Sequence, residues 1–279
     1  MKMVFAVIGD PIDHSFSPKL HSISFQEQGL DCTYVPIRVL QHELGQALKE
    51  FRKDLAGFNV TIPHKQSIIP YLDALDSTAQ RFGAVNTVKN EGGKLVGYNT
   101  DGIGFMQGLQ EVADLNTIRK TLLIGAGGAA QVVALELAPY SSITIANRSR
   151  LRAHVLAEKV KVLYPGSTVR TVGLGSVLQE KYDLVVNATP IGMGEQKDQI
   201  PVSSLILRNV RIVYDLVYNP QETRLLALAS SVGCKTLNGL SMLIYQGLKS
   251  EEIWLGRPIS KALKERIMER VRKELTKHG

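Results

Sequence analysis

At 279 residues the chain is long enough for two domains of ordinary size. Its composition, 44% hydrophobic and 21% charged, excludes a disordered chain. Two cysteines, Cys32 and Cys234, without C-x-x-C spacing argue against a disulfide framework and a zinc site, and no metal is expected. They fit a reducing compartment, so a cytoplasmic location is expected. The opening MKMVFAVIGDP is too short for a signal peptide and reads as a strand. No apolar run approaches the length of a membrane span, so no membrane partner is expected. The formal net charge is +7, and Arg257–Gly279 alone carries eight Lys/Arg against three Glu, a net of +5. That segment has the pattern of an amphipathic helix with its charges outward, which argues against a nucleic-acid partner.

In chain order, Val4–Gly9 reads as the first strand and the proline-bracketed DPIDHSFSP (10–18) as a loop. Ser15 and Ser17 stand at i and i+2; in an extended segment their hydroxyls point the same way and can jointly donate to a carboxylate. Ser17 before Pro18 also suits a helix cap. A helix follows over Lys19–Gln28, then a strand over Cys32–Val39 and a helix over Gln41–Phe51. Ala56–Ile62 is a third strand, and alternation puts Asn59 and Thr61 on one face, Val60 and Ile62 on the other. Pro63 ends it. Lys65, opening a helix predicted over Lys65–Tyr71, then lies at a strand's carboxyl end, where open α/β sheets bind ligands. It is a candidate active-site lysine. Asp76–Phe82 reads as a helix. Thr87–Lys89 and Leu95–Tyr98 form a hairpin about Glu91-Gly92-Gly93-Lys94. Asp101, before Gly102, is either the cap of a helix over Ile103–Val112 or a catalytic carboxylate.

Thr121–Arg150 reads TLLIGAGGAAQVVALELAPYSSITIANRSR. An apolar strand, Thr121–Ile124, leads into Gly125-Ala126-Gly127-Gly128-Ala129-Ala130, then a helix over Gln131–Ala138 stopped by Pro139, then a strand over Ile143–Ala146. This is a βαβ unit carrying a G-x-G-x-x-A turn. Gly125 permits the tight turn, Gly127 admits a pyrophosphate to the backbone, and the small Ala130 lets the helix pack on the strand. Free N–H groups at the helix start suit phosphate. A ribose 2′-hydroxyl is usually bound by an acid about twenty residues on. Here Asn147-Arg148-Ser149-Arg150 and Arg152 stand instead. Guanidinium groups bind phosphate bidentately, so the pocket is expected to take a 2′-phosphate and the cofactor to be NADP.

Beyond this unit a helix runs to Leu163, with strands at Ser167–Val172, Leu184–Asn187 and Val210–Leu216, a helix at Thr223–Ser231 and a last strand at Lys235–Leu237. Strand and helix alternate, implying a mostly parallel sheet. Leu240–Leu255 is a long helix carrying Gln246. The last helix, opening at Pro258-Ile259-Ser260, spaces Ile259, Leu263, Ile267, Val271 and Leu275 every four residues, a stripe that must be buried. Both helices are predicted to pack back on the first domain or along the domain junction.

These motifs together resemble the shikimate dehydrogenase family over essentially the whole chain and in the family's order: DPIDHSFSP (10–18), NVTIPHK (59–65), GAVNT (83–87), YNTDG (98–102), GAGGAA (125–130), NRS (147–149), NATPIGM (187–193), YDLVYNP (214–220) and GLSMLIYQG (239–247). The resemblance implies an α/β chain of two domains. One is an N-terminal substrate domain with a mixed sheet, 1–101, with helices 239–279 packing back on it. The other is a Rossmann-like NADP-binding domain, 102–238. It implies NADP-dependent reduction of 3-dehydroshikimate to shikimate in aromatic amino-acid biosynthesis. Lys65 and Asp101 would be catalytic, one orienting the other; the residues alone leave open which moves the proton. Ser15 and Ser17 would bind the substrate carboxylate, and Thr61, Asn86, Tyr218 and Gln246 its other polar groups. Gly125, Gly127, Gly128, Ala129, Ala130, Asn147, Arg148, Ser149 and Arg152 would bind the nucleotide. Thr189, Leu216, Gly239 and Met242 would adjoin the nicotinamide.

Quinate-using relatives tend to carry threonine at the second serine of the carboxylate motif; Ser17 favours shikimate. The alternative enzyme is a quinate/shikimate dehydrogenase of broader substrate and cofactor use. A nucleotide-binding regulatory protein without turnover is the alternative from another class, and the presence of both Lys65 and Asp101 argues against it. The expected partner is a small-molecule substrate, and the chain a monomer or homodimer. A cleft between the domains that closes on binding is expected.

Overall fold

The computed structural model describes residues 2–13, 15–176 and 180–276, and these fall into two compact units. His14 of the serine motif and the last three residues of the basic segment lie outside the described residues. One unit holds the described residues up to Gly104 and from Ile244 onward; the other is Phe105–Leu243.

The first unit opens with β1 (Met3–Gly9), α1 (Ser17–Glu27), β2 (Cys32–Arg38), α2 (Leu44–Asp54), β3 (Gly57–Val60), α3 (His64–Ser67), β4 (Ala74–Leu75), α4 (Ser77–Phe82), β5 (Thr87–Glu91) and β6 (Lys94–Tyr98). Its six-stranded sheet has the order β2-β1-β3-β5-β6-β4. β1 runs parallel to β2 and β3, while β5 is antiparallel to β3 and β6, so the sheet is mixed. β1 is apolar on both faces because both are covered. Ala6 and Ile8 join Phe58, Val60 and Val88 under Leu44, Leu48 and Phe51 of α2. Phe5 and Val7, pointing the other way, meet Phe25, Tyr34 and Trp254. Each such large side chain contributes about 1.5–3 kcal/mol on burial. The β5–β6 hairpin turns at Gly92 and Gly93, with φ +64° and +94°, the left-handed pair that two-residue hairpins require.

In the second unit α5 (Asp101–Gln110), which crosses the division, is followed by β7 (Lys120–Ile124), α6 (Gly128–Leu137), β8 (Ser142–Asn147), α7 (Arg150–Leu163), β9 (Val169–Gly173), β10 (Tyr182–Asn187), β11 (Val210–Asp215), α8 (Arg224–Ser231) and β12 (Lys235–Leu237). The sheet is parallel throughout, with the order β12-β11-β10-β7-β8-β9. The order reverses between β7 and β10, and the strand ends there form the crevice where such sheets take nucleotides.

The chain then returns to the first unit through α9 (Leu240–Leu255) and α10 (Lys261–Thr276). The predicted stripe is buried at Ile259, Ile267, Val271 and Leu275 and half-buried at Leu263, and the helix expected from Pro258 starts at Lys261, so Ile259 precedes it. Arg266 and Arg270 of α10 bond Glu27 of α1, so part of the basic segment is neutralised on its own unit. Among the described residues no helix is long and apolar enough to cross a membrane.

Three local expectations are corrected. The strand predicted over Ala56–Ile62 ends at Val60, because pairing with β1 stops at Ile8–Val60 and the chain turns toward Pro63; Ile62 is 72% exposed instead of facing the core. The helix predicted over Lys65–Tyr71 is α3 followed by a separate 3-10 turn, Ile69–Tyr71, since Pro70 has no N–H to continue it. The helix predicted from Gln41 starts at Leu44, after a turn in which the Glu43 carboxylate accepts from the Leu40 N–H at 3.1 Å.

Candidate active site and nucleotide loop

In the first unit four of the predicted residues meet. Lys65, on α3 just beyond β3, donates from Nζ to Asp101 Oδ2 at 2.6 Å. Asp101 opens α5, where its backbone N–H is received by Asn99 Oδ1 at 3.0 Å, so Asn99 caps the turn and the Asp101 carboxylate stays available. The helix-cap alternative for Asp101 is therefore not realised. Asn86, between α4 and β5, donates from Nδ2 to Asp101 Oδ1 at 2.7 Å and reaches Gln246 Oε1 of α9 at 3.3 Å. The Lys65 carbonyl accepts from the Val85 N–H at 2.7 Å, which ties α3 to the loop carrying Asn86. The Lys65 and Asp101 side chains are 33% and 13% exposed, so the pair is sheltered yet reachable.

Ser15 and Ser17 are joined differently from the extended-segment expectation. Phe16 is helical, and the Ser15 hydroxyl accepts from the Ser17 N–H at 3.3 Å. Ser17 is already the first residue of α1 and makes no cap bond; Phe16 holds the cap position without a side-chain bond. The Tyr34 hydroxyl adjoins Ser17 and donates to Asn59 Oδ1 at 2.7 Å; burial pushes its pKa well above the ordinary range. Thr61 is half-buried at the end of β3, and its Cγ2 would lie 2.5 Å from a Cβ at position 9, so Gly9 leaves it room.

In the second unit the G-x-G-x-x-A turn joins β7 to α6. Gly125 has φ +113°, and a Cβ there would meet the Ala188 carbonyl oxygen at 3.0 Å, so only glycine fits without strain. At Gly127 and Gly128 a Cβ would meet nothing within 4 Å, and both are exposed. Open space thus faces the start of α6, whose cap, Gly127, makes no side-chain bond. Ala129 is exposed and Ala130 fully buried, the small contact between helix and strand. At the end of β8, Asn147 Nδ2 donates to the Ser149 carbonyl at 2.9 Å and Ser149 caps α7. Arg148, Arg150 and Arg152 are exposed around that cap. The open backbone over α6 and the guanidinium groups at the end of β8 suit a pyrophosphate and a further phosphate.

Thr189 and Leu216 come together through the ends of β10 and β11. Asn187 Oδ1 accepts from the Thr189 N–H and hydroxyl at 3.1 and 2.7 Å, and its Nδ2 donates to Asp215 Oδ1 at 2.9 Å. Burial raises the Asp215 carboxyl, against the hydroxyl of Thr223 and the N–H of Val217 that it accepts. The Gly239 N–H bonds the Val217 carbonyl, and a Cβ at 239 would sit 2.0 Å from the Leu216 carbonyl oxygen. Met242 follows on α9, and Tyr218 is half-buried; both belong to this second unit. Tyr34 and the Asn187–Asp215 pair are polar residues of these sites that the sequence did not mark. Alternation places Asn59 beside Thr61 but gives it no role.

A parallel sheet with a glycine turn, joined in one chain to a mixed-sheet unit bearing a sheltered lysine–carboxylate pair, defines a Rossmann-type dinucleotide-binding protein with a separate substrate unit. Residues 7–88 match the model of the shikimate dehydrogenase substrate binding domain, and residues 109–193 that of shikimate / quinate 5-dehydrogenase. A shikimate dehydrogenase (NADP(+)) of Desulforamulus reducens is 45% identical over 91% of this chain and 90% of its own. A crystal structure of a shikimate dehydrogenase in complex with NADP+ matches with a TM-score of 0.88 and 43% identity, covering 97% of this chain and 96% of that one. The Thermus thermophilus enzyme in complex with NADP(H) and shikimate matches with a TM-score of 0.85 and 34% identity, covering 96% and 99%. The chain belongs to the shikimate dehydrogenase family.

Proposed function

We propose that this protein catalyses the NADP-dependent, reversible reduction of 3-dehydroshikimate to shikimate, a step of aromatic amino-acid biosynthesis, and that the unit holding Lys65 and Asp101 takes the substrate and the unit holding the glycine turn takes NADP. The observation that carries the reading is the Lys65–Asp101 contact at 2.6 Å, bridged through Asn86 to Gln246. Asp101 accepts on both oxygens, from Lys65 and from Asn86, so it acts as the orienting anion. Lys65 has three N–H donors and gives one to Asp101. Another is free to aim at a substrate oxygen. As the ketone becomes an alkoxide, Lys65 Nζ stabilises the growing charge and hands over the proton; in the reverse direction it takes the proton from the hydroxyl. NADPH, when bound, supplies the hydride that the reduction consumes.

Gly125, Gly127, Gly128, Ala129 and Ala130 would hold the pyrophosphate, and Asn147, Arg148, Ser149 and Arg152 the 2′-phosphate. Thr189, Leu216, Gly239 and Met242 would flank the nicotinamide. On the substrate, Ser15 and Ser17 would take the carboxylate, and Thr61, Asn86, Tyr218 and Gln246 the hydroxyls. The relatives' names and the NADP and shikimate in their crystal complexes support the choice of cofactor and substrate. Two cysteines that form no disulfide suit a reducing compartment, and we place the enzyme in the cytoplasm.

The test is oxidation of shikimate followed by nicotinamide absorbance, with NADP+ and NAD+ in parallel and quinate as second substrate. Turnover confined to shikimate with NADP+ is expected. Comparable turnover on quinate or with NAD+ would instead assign the broader enzyme, and no turnover on either would refute the proposal.

A further inference from the structure

The fully buried residues Ser250 and Glu251 lie one turn beyond Gln246 on α9 and have no part in the chemistry above. Ser250 Oγ bonds the Gln246 carbonyl at 3.0 Å and accepts from Asn59 Nδ2 at 3.0 Å. It also lies 2.8 Å from Thr87 Oγ1 and 3.3 Å from Thr100 Oγ1. Thr100 and Thr87 in turn hold Asn86: the Thr100 N–H reaches Asn86 Oδ1 at 2.8 Å and the Thr87 hydroxyl reaches it at 2.9 Å. One serine oxygen thus joins the backbone of Gln246 to the floor on which Asn86 and Asp101 sit. Glu251 faces another way. Its carboxylate meets His21 Nδ1 and Ser24 Oγ of α1 and Gln28 Nε2 just past its end, each at 2.6 Å.

The Oε1 of Gln246 accepts from Asn86 and Thr100 at 3.3 and 3.5 Å while its carbonyl accepts from Ser250 at 3.0 Å, so where that backbone is held sets where the side chain starts. Apolar packing of Ile244 and Leu248 tolerates small slides and rotations of a helix; a buried polar network with discrete partners does not. We propose that Ser250 is a positioning residue for Gln246, fixing α9 against the Asn86 floor while Glu251 fixes it against α1. The inference rests on the proposed role of Gln246 as a ligand of the substrate hydroxyls.

The test is a double-mutant cycle of Ser250→Ala and Gln246→Ala. Ser250→Ala leaves Asn59 Nδ2 its bonds to the Asn86 carbonyl and Thr87, so no donor is orphaned and the fold persists, as thermal unfolding will check. In the wild-type background it should raise KM for shikimate roughly tenfold, the scale of one lost buried hydrogen bond, with kcat changed less than about threefold. In the Gln246→Ala background the same change should cost less than about twofold, because the residue it acts through is gone. An equal factor in both backgrounds, or an unchanged KM in the single variant, overturns the proposal. Should the wild-type protein not turn over shikimate, the functional reading fails by itself. The positioning role is then read from the side-chain amide resonance of Gln246, assigned by its loss in Gln246→Ala. Ser250→Ala should shift or broaden that resonance, and an unmoved signal overturns the proposal.

Discussion

Arg148 and Arg152 are the residues whose loss should separate the two nicotinamide cofactors. Both are exposed beside the Ser149 cap, where a 2′-phosphate would find a forked donor set. Arg148→Ala should raise KM for NADP+ about tenfold or more while leaving KM for NAD+ within about twofold, since a charged hydrogen bond is worth roughly 1.5–3 kcal/mol. Initial-rate titrations with both cofactors check this; equal losses for both would place the guanidinium elsewhere. The place of these arginines, exposed at the end of β8 beyond a glycine turn, was legible in the sequence. Ser250 and Glu251 were not. A Ser-Glu-Glu run in a long helix reads as its wet face, and only His21, Ser24 and Gln28, over two hundred residues away in sequence, make Glu251 a buried group.

Two elements carry strict local demands. The first is the crossing of Gly239 over Leu216, where any Cβ falls 2.0 Å from a carbonyl oxygen. Gly239→Ala must move the ends of β11 and α9 apart, and should lower both thermal stability and affinity for NADP+. Unchanged values for both would show that the crossing yields freely. The second is the turn between α9 and α10, gathered on Glu252, which accepts from Lys264, the Ile259 N–H and Lys249 at 2.7, 3.1 and 3.1 Å. Burial alone would raise the Glu252 carboxyl, but those three donors outweigh it and hold it below the ordinary glutamate range. A depressed carboxyl contributes stability in full above its unfolded value and loses it as pH falls through the folded one. Glu252→Gln should therefore lower Tm at neutral pH by a few degrees, from a loss of about 1–2 kcal/mol. The difference should close as pH falls through the lowered folded value; a gap that persists at acid pH once the carboxylate is protonated would show that its charge is not what matters. Element boundaries were read less well than element types. The period of apolar residues marks a helix or strand, but its ends depend on partners: β3 ends at Val60, where its ladder with β1 stops opposite Ile8.

At the scale of the molecule, two units divide the labour that the family resemblance implies. The proposed catalytic pair, Asn86 and Gln246 belong to one, the glycine turn and arginines to the other. The parallel second sheet was legible from alternating strands and helices. The mixed order of the first was less so, because β4 is only two residues long, too short for any pattern, and closes the sheet beside β6. The contact of Lys65 with Asp101, 36 residues apart, follows from the β3–β5–β6 register and from no motif by itself. Because the two sites are built on different units, disabling chemistry in one should leave cofactor binding in the other. The measurement that tests this account most directly is kcat for shikimate oxidation by Lys65→Ala, beside the rise in Tm that NADP+ induces in the same variant. The expected result is a loss in kcat of at least about a hundredfold, the scale of general acid–base catalysis, with the NADP+-induced shift retained. A kcat within a few-fold of wild type would contradict it.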